Sequence, residues 1–74
     1  MNGLGKKRSK FGKWIDQKGI KQQWIAEKSG VSRSTISQLA NEEERMPTLK
    51  NAKKIINVLK EIDPNVNQDD FWDI

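Results

Sequence analysis

The stretch QQWIAEKSGVSRSTISQL, Gln22 to Leu39, decides how this chain folds. Trp24 and Ile25 sit at helical spacing in its first half and Ile36 and Leu39 in its second, with Gly30, Val31 and Ser32 between them. Two short helices separated by so few residues must cross steeply. That geometry needs a small residue where they meet and a residue without a Cβ where the chain reverses. Ala26 is the small contact, and Gly30 is predicted to take a positive φ. Ser32 is predicted to cap a helix running from Arg33 to Ala40. Ile25, Val31, Ile36 and Leu39 then fill the angle between the two helices.

A rotation of about 100° per residue puts Ile36, Leu39 and Ala40 on one side of that second helix, and Arg33, Ser34, Ser37 and Gln38 on the other. The outer side carries no acidic residue. It offers a guanidinium fork, two hydroxyls and an amide, the groups that hydrogen-bond base edges in a major groove. A merely solvated helix in a chain that is 32% charged would mix Glu with Lys, so a plain polar surface is the weaker reading.

Working outward, Ser9 is predicted to cap a first helix, with Phe11, Trp14 and Ile15 at helical spacing and Gly19 ending it. Past the reading helix, Asn41–Met46 is polar and acidic, Pro47 closes it and Thr48 caps the next helix. Leu49, Ala52, Ile55, Ile56 and Leu59 make that helix strongly amphipathic, and Pro64 terminates it. Asn67 is predicted to cap a last short helix carrying Phe71 and Trp72, with Asp69 and Asp70 in its first turn. The expected fold is all-α: a compact five-helix domain over residues 9–74, preceded by a flexible basic arm over residues 1–8. Trp14 and Trp24 read as packing residues rather than stacking platforms for bases.

Composition narrows the chemistry. The 74 residues include no cysteine and no histidine, so disulfide staples, thiolate or imidazole metal sites and the usual nucleophile–histidine pairs are excluded. No nucleophile, base and orienting group can be assembled, and we expect neither an enzyme nor a cofactor or small-molecule ligand. No apolar run is long enough for a spanning helix or signal peptide, so a cytoplasmic protein without membrane contact is expected. The formal net charge of +4 points to a polyanionic partner. Its distribution is uneven: Lys6, Lys7, Arg8, Lys10 and Lys13 crowd one end, and Asp63, Asp69, Asp70 and Asp73 the other.

The segment around Ala26, Gly30, Val31, Ile36 and Leu39 resembles the helix-turn-helix of the Cro and lambda-repressor superfamily, the XRE family, and the resemblance extends from about Ser9 to Trp72. It implies the lambda-repressor-like fold and a partner of double-stranded DNA. It further implies that Gln22 touches a phosphate and braces the reading helix, and that Arg33, Ser34, Ser37 and Gln38 face bases. Lys21, Thr35, Arg45 and Lys10 join Gln22 as expected phosphate contacts. Relatives usually repress transcription as homodimers on two-fold symmetric operators, and their last helix commonly builds the dimer. Phe71 is accordingly assigned to the core, and Trp72 and Ile74 to the interface.

Two departures from the family pattern stand out. Many relatives pair an arginine of helix one with a glutamate late in helix three, where this chain has Ile15 and Ala40, so an apolar contact is expected in place of the ion pair. After helix three, where relatives often carry glycine and basic residues, this chain has Glu42, Glu43 and Glu44. Three carboxylates beside phosphates oppose binding, so that loop turns away or binding is weak. The leading expectation is a DNA-binding regulator of the phage or bacterial repressor type. The alternative is a protein-interaction module of the same fold, antirepressor or antitoxin-like, that uses the acidic loop and aromatic C-terminus.

Overall fold

The computed structural model describes residues 8–73. The first helix, α1 (Lys10–Lys18), starts at Ser9, whose side chain accepts from the Gly12 N–H, and ends at Gly19 in the left-handed region. α2 (Gln22–Ser29) ends at Gly30, whose φ of 79° is the positive value expected of it, and the Gly30 N–H donates to the Ala26 carbonyl. The Val31 N–H is taken by the Ser29 hydroxyl. Ser32 then caps α3 (Arg33–Asn41) by accepting from the Thr35 N–H. α4 (Leu49–Leu59) is capped in the same way by Thr48 through the Asn51 N–H.

The C-terminal segment departs from expectation in two places. α4 ends at Leu59, five residues before Pro64. A proline disfavours helix at the residue before it, and here Asp63 accepts from the Asn65 N–H and builds a turn of its own. The fifth helix reduces to one 3₁₀ turn, Gln68–Asp70, in which the Asp70 carboxylate reaches back to the Asn67 N–H. Among the described residues the architecture is four α-helices and that turn, not five helices.

α2 packs on both α3 and α4, and α1 packs on α3. The core between them is Phe11, Ile15, Ile25, Val31, Ile36, Leu39, Ala40, Ala52, Ile55, Ile56, Leu59, Val66 and Trp72. Ile15 and Ala40 are both fully buried in it, as an apolar replacement for the ion pair requires. Leu49, expected on the apolar face of α4, is 58% exposed, and Val58 is buried on that helix instead.

Trp72 is the larger correction. It is 2% exposed and stacks against Phe11 at 5.3 Å, so it closes the core and has no surface to offer a second chain. Phe71 is the half-buried partner, edge-on to Phe11, Trp14 and Trp72. Both aromatics after the 3₁₀ turn meet Phe11, and it is Trp72 rather than Phe71 that is fully buried there. Ile74 and residues 1–7 of the basic arm lie outside the described residues. Among the described residues, no helix is long and apolar enough to cross a membrane.

Candidate nucleic-acid interface

α3 is held from its C-terminal end. Ser9 is buried, its N–H donates to the Ala40 carbonyl at 3.0 Å, and its hydroxyl donates to the Leu39 carbonyl at 2.6 Å with the Ala40 carbonyl 3.0 Å away. One serine thus caps the start of α1 and satisfies the end of α3, where carbonyls otherwise lack partners. Gly12 makes the approach possible. A Cβ there would run into the Ala40 carbonyl oxygen, well inside any allowed contact. A third tie lies further out. The Arg8 guanidinium grips Asp16 with both arms, Nε to Oδ2 at 3.0 Å and Nη2 to Oδ1 at 2.9 Å, and its remaining nitrogen donates to Asn41 Oδ1.

The other end of α3 stands clear. Arg33, Ser34 and Gln38 are exposed and Ser37 is half-buried, so the four residues expected to face bases lie together on the uncovered side of a regular helix. Among the described residues Arg33 forms no ion pair, which leaves its guanidinium fork available. Arg33 also borders a groove of about 330 Å³ with Lys21, Gln22, Arg8 and Asp16. Lys21, Arg33 and the amide of Gln22 therefore gather beside the Arg8–Asp16 pair near the starts of α2 and α3. Lys21, at the N-cap of α2, makes no side-chain cap. Among the described residues the Gln22 and Gln23 N–H groups have no partner, and the aligned peptide dipoles favour negative charge there.

The remaining expected phosphate contacts fare differently. Thr35 is half-buried and its hydroxyl accepts from Ser32 at 2.8 Å, which leaves its own proton to give. Lys10 is exposed at the start of α1. Arg45 lies within the acidic loop and is paired with Glu42 at 3.0 Å. Glu43 turns to α1, where its carboxylate accepts from the Lys10 N–H at 3.1 Å and so rests on a helix N-terminus. Two of the three loop carboxylates are thereby engaged within the chain.

Sequence reasoning passed over Gly12 and the clamp made by Ser9. It also placed Arg8 in the arm, although Asp16 and Asn41 hold its side chain against the domain. The available signal was an unexplained glycine inside an otherwise apolar helical repeat, which can mark a place where another backbone packs closely.

No curated protein and no solved structure matches the chain. A family model described as helix-turn-helix matches residues 13–66, well over half of the chain, and its span runs from α1 through the α2–Gly30–α3 unit to the segment past α4. The chain belongs to that family of DNA-binding regulators and is a Cro and lambda-repressor-like, XRE-type helix-turn-helix protein.

Proposed function

We propose that this regulator is a transcriptional repressor. It binds a two-fold symmetric operator as a homodimer and sets Arg33, Ser34, Ser37 and Gln38 of each copy into successive major grooves about 34 Å apart. The observation that carries the reading is the outer face of α3: uncovered by the other described residues, free of acid, and equipped with the donors and acceptors that base edges match. The cationic groove at the start of α2 supports it as a seat for a backbone phosphate, with Gln22 and Lys21 at its edge. Arg33 is suited to guanine O6 and N7 and Gln38 to adenine N6 and N7, since each presents two groups at the matching separation. Thr35 and Lys10 flank them as phosphate contacts, and Arg45 joins them on release from Glu42.

The protein-interaction reading draws less support, because Trp72 is buried and Glu43 is occupied by α1. Selection of bound duplexes from a random pool, with titration of the winner at several salt concentrations, tests the proposal. The expected result is a palindromic motif with half-sites one helical turn apart and a log–log salt slope of about −0.9 for every phosphate contacted. No enriched motif together with salt-independent binding overturns it.

A further inference from the structure

Serine is ordinarily an ambiguous reader, because its hydroxyl can give a hydrogen bond or take one. At Ser37 that ambiguity is reduced, because one of the two lone pairs on its hydroxyl is already taken. Asn41, one turn on, donates from its Nδ2 to the Ser37 hydroxyl oxygen at 3.3 Å. The Asn41 amide cannot turn over, because its Oδ1 is held by an Arg8 nitrogen, which can only donate. Arg8 is in turn fixed by its two-armed pair with Asp16. Arg8 thus donates both ways, to Asp16 on α1 and to Asn41, and from Asn41 the donation passes on to Ser37 on the outer face of α3, each donor facing an acceptor. The relay ends on a hydroxyl whose proton, among the described residues, has no acceptor.

We infer that Arg8 and Asn41 are positioning residues that bias Ser37 toward donating its hydroxyl proton, so that at its base pair the protein prefers an acceptor (N7 or O6 of guanine, N7 of adenine or O4 of thymine) to the amino group of cytosine. The inference rests on the DNA-binding reading above and adds the polarity of one contact to it. The same chain of bonds ties α1 to α3 one residue beyond Ile15 and Ala40.

Reversal is the sharpest test. Asn41→Asp keeps a partner for Arg8 but offers Ser37 an acceptor in place of a donor. The hydroxyl proton then turns inward, and its lone pairs are left to read a donor. Against duplexes carrying each base at the Ser37 position, the wild type should favour the acceptor edge by about five- to tenfold, the scale of one hydrogen bond. Where the preferred partner is adenine, whose major-groove acceptor is N7, replacing that N7 by carbon should abolish the preference. Asn41→Asp should weaken all sequences through its added charge and shift the preference toward amino-bearing edges. Ser37→Ala should show no preference in either background.

The relay is also read without DNA, from the Asn41 side-chain amide resonances. Arg8→Gln and Ser37→Ala should each displace them, and the remote Lys54→Gln should not. Unmoved resonances overturn the inference whatever the DNA does, as does an unchanged base preference in Asn41→Asp. Displaced resonances in a protein that enriches no duplex would instead show that the DNA-binding reading had failed, and the assigned polarity would fall with it.

Discussion

The two ends of α3 are built on opposite principles. At the C-terminal end, Leu39 and Ala40 are buried, their carbonyls are taken by Ser9, and Gly12 lets the backbone of α1 come into direct contact. At the N-terminal end, Ser32, Arg33 and Ser34 are exposed, and the order there comes from a local cap between Ser32 and Thr35. A helix that reads bases, as we propose for α3, must enter a groove without bending away, and it must keep its reading groups uncovered. Anchoring one end through buried polar bonds and leaving the other to its own cap meets both demands within nine residues. Substitutions at the anchored end should therefore act on stability, and substitutions at the presented end on recognition.

Gly12→Ala should have the largest effect. In an ordinary helix the change is favourable by about 1 kcal/mol, because alanine is the better helix former. Here the new methyl meets the Ala40 carbonyl oxygen, a backbone atom that already accepts from Ser9 and cannot withdraw without breaking that bond. Overpacking of this kind costs about 1–3 kcal/mol and occasionally more, and we expect the upper part of that range. In a domain this small each kcal/mol lowers Tm by roughly 4–8 °C, so calorimetry should register a fall of more than about 10 °C. A rise in Tm would mean that α1 and α3 do not touch at this point.

Ser9→Ala comes next. It strips the Gly12 N–H of its acceptor and the Leu39 carbonyl of its donor in one step, and both groups are buried. Leaving a buried polar partner unsatisfied costs about 1–3 kcal/mol, well above the loss of an exposed hydrogen bond. Thermal unfolding should show this, and Ser9→Thr, which keeps the hydroxyl, should recover part of it.

These two residues mark where the sequence was legible and where it was not. The starts of α1, α3 and α4 could all be placed beforehand, because a capping hydroxyl and the N–H it accepts from lie three residues apart. Gly30 was legible for the same reason, since a tight reversal between two apolar repeats is a local demand. The outer face of α3 came from helical rotation alone. The second bond of Ser9, to a carbonyl 30 residues away, had no local signature, and neither did the clash that forces Gly12 to be glycine. Trp72 was misplaced on the same ground. Both adjacent aromatics pack on Phe11, and which of them is fully buried depends on how a three-residue turn meets α1. Arg8 looked like part of a basic run because its partners, Asp16 and Asn41, come together only after folding.

Arg33→Ala tests the presented end. The side chain is exposed and, among the described residues, forms no ion pair, so unfolding should be unchanged within about 0.5 kcal/mol. Binding to the selected operator should weaken by about 1–3 kcal/mol, with the loss confined to discrimination at one base pair. An equal loss on every sequence, with a shallower salt slope, would reassign Arg33 to a phosphate and shift the reading to Ser34, Ser37 and Gln38.

The smallest effect is the one that measures the comparison most directly. Ser9 and Ser32 do the same job at the starts of α1 and α3, and each accepts the N–H three residues on. They differ in burial: Ser9 is 4% exposed and Ser32 lies at the surface. Removing an N-cap hydroxyl costs about 0.5–2 kcal/mol. At Ser32, water can take over the Thr35 N–H and hydroxyl, so Ser32→Ala should fall near the low end of that range. The freed first turn carries Arg33 and Ser34, so operator affinity should drop slightly more than stability does. Measured side by side in denaturant, the two serine-to-alanine changes should differ by about 1 kcal/mol or more, since only one of them orphans buried groups. Equal losses would mean that the start of α3 is held by something other than its own cap, and the contrast between an anchored and a presented end would not stand.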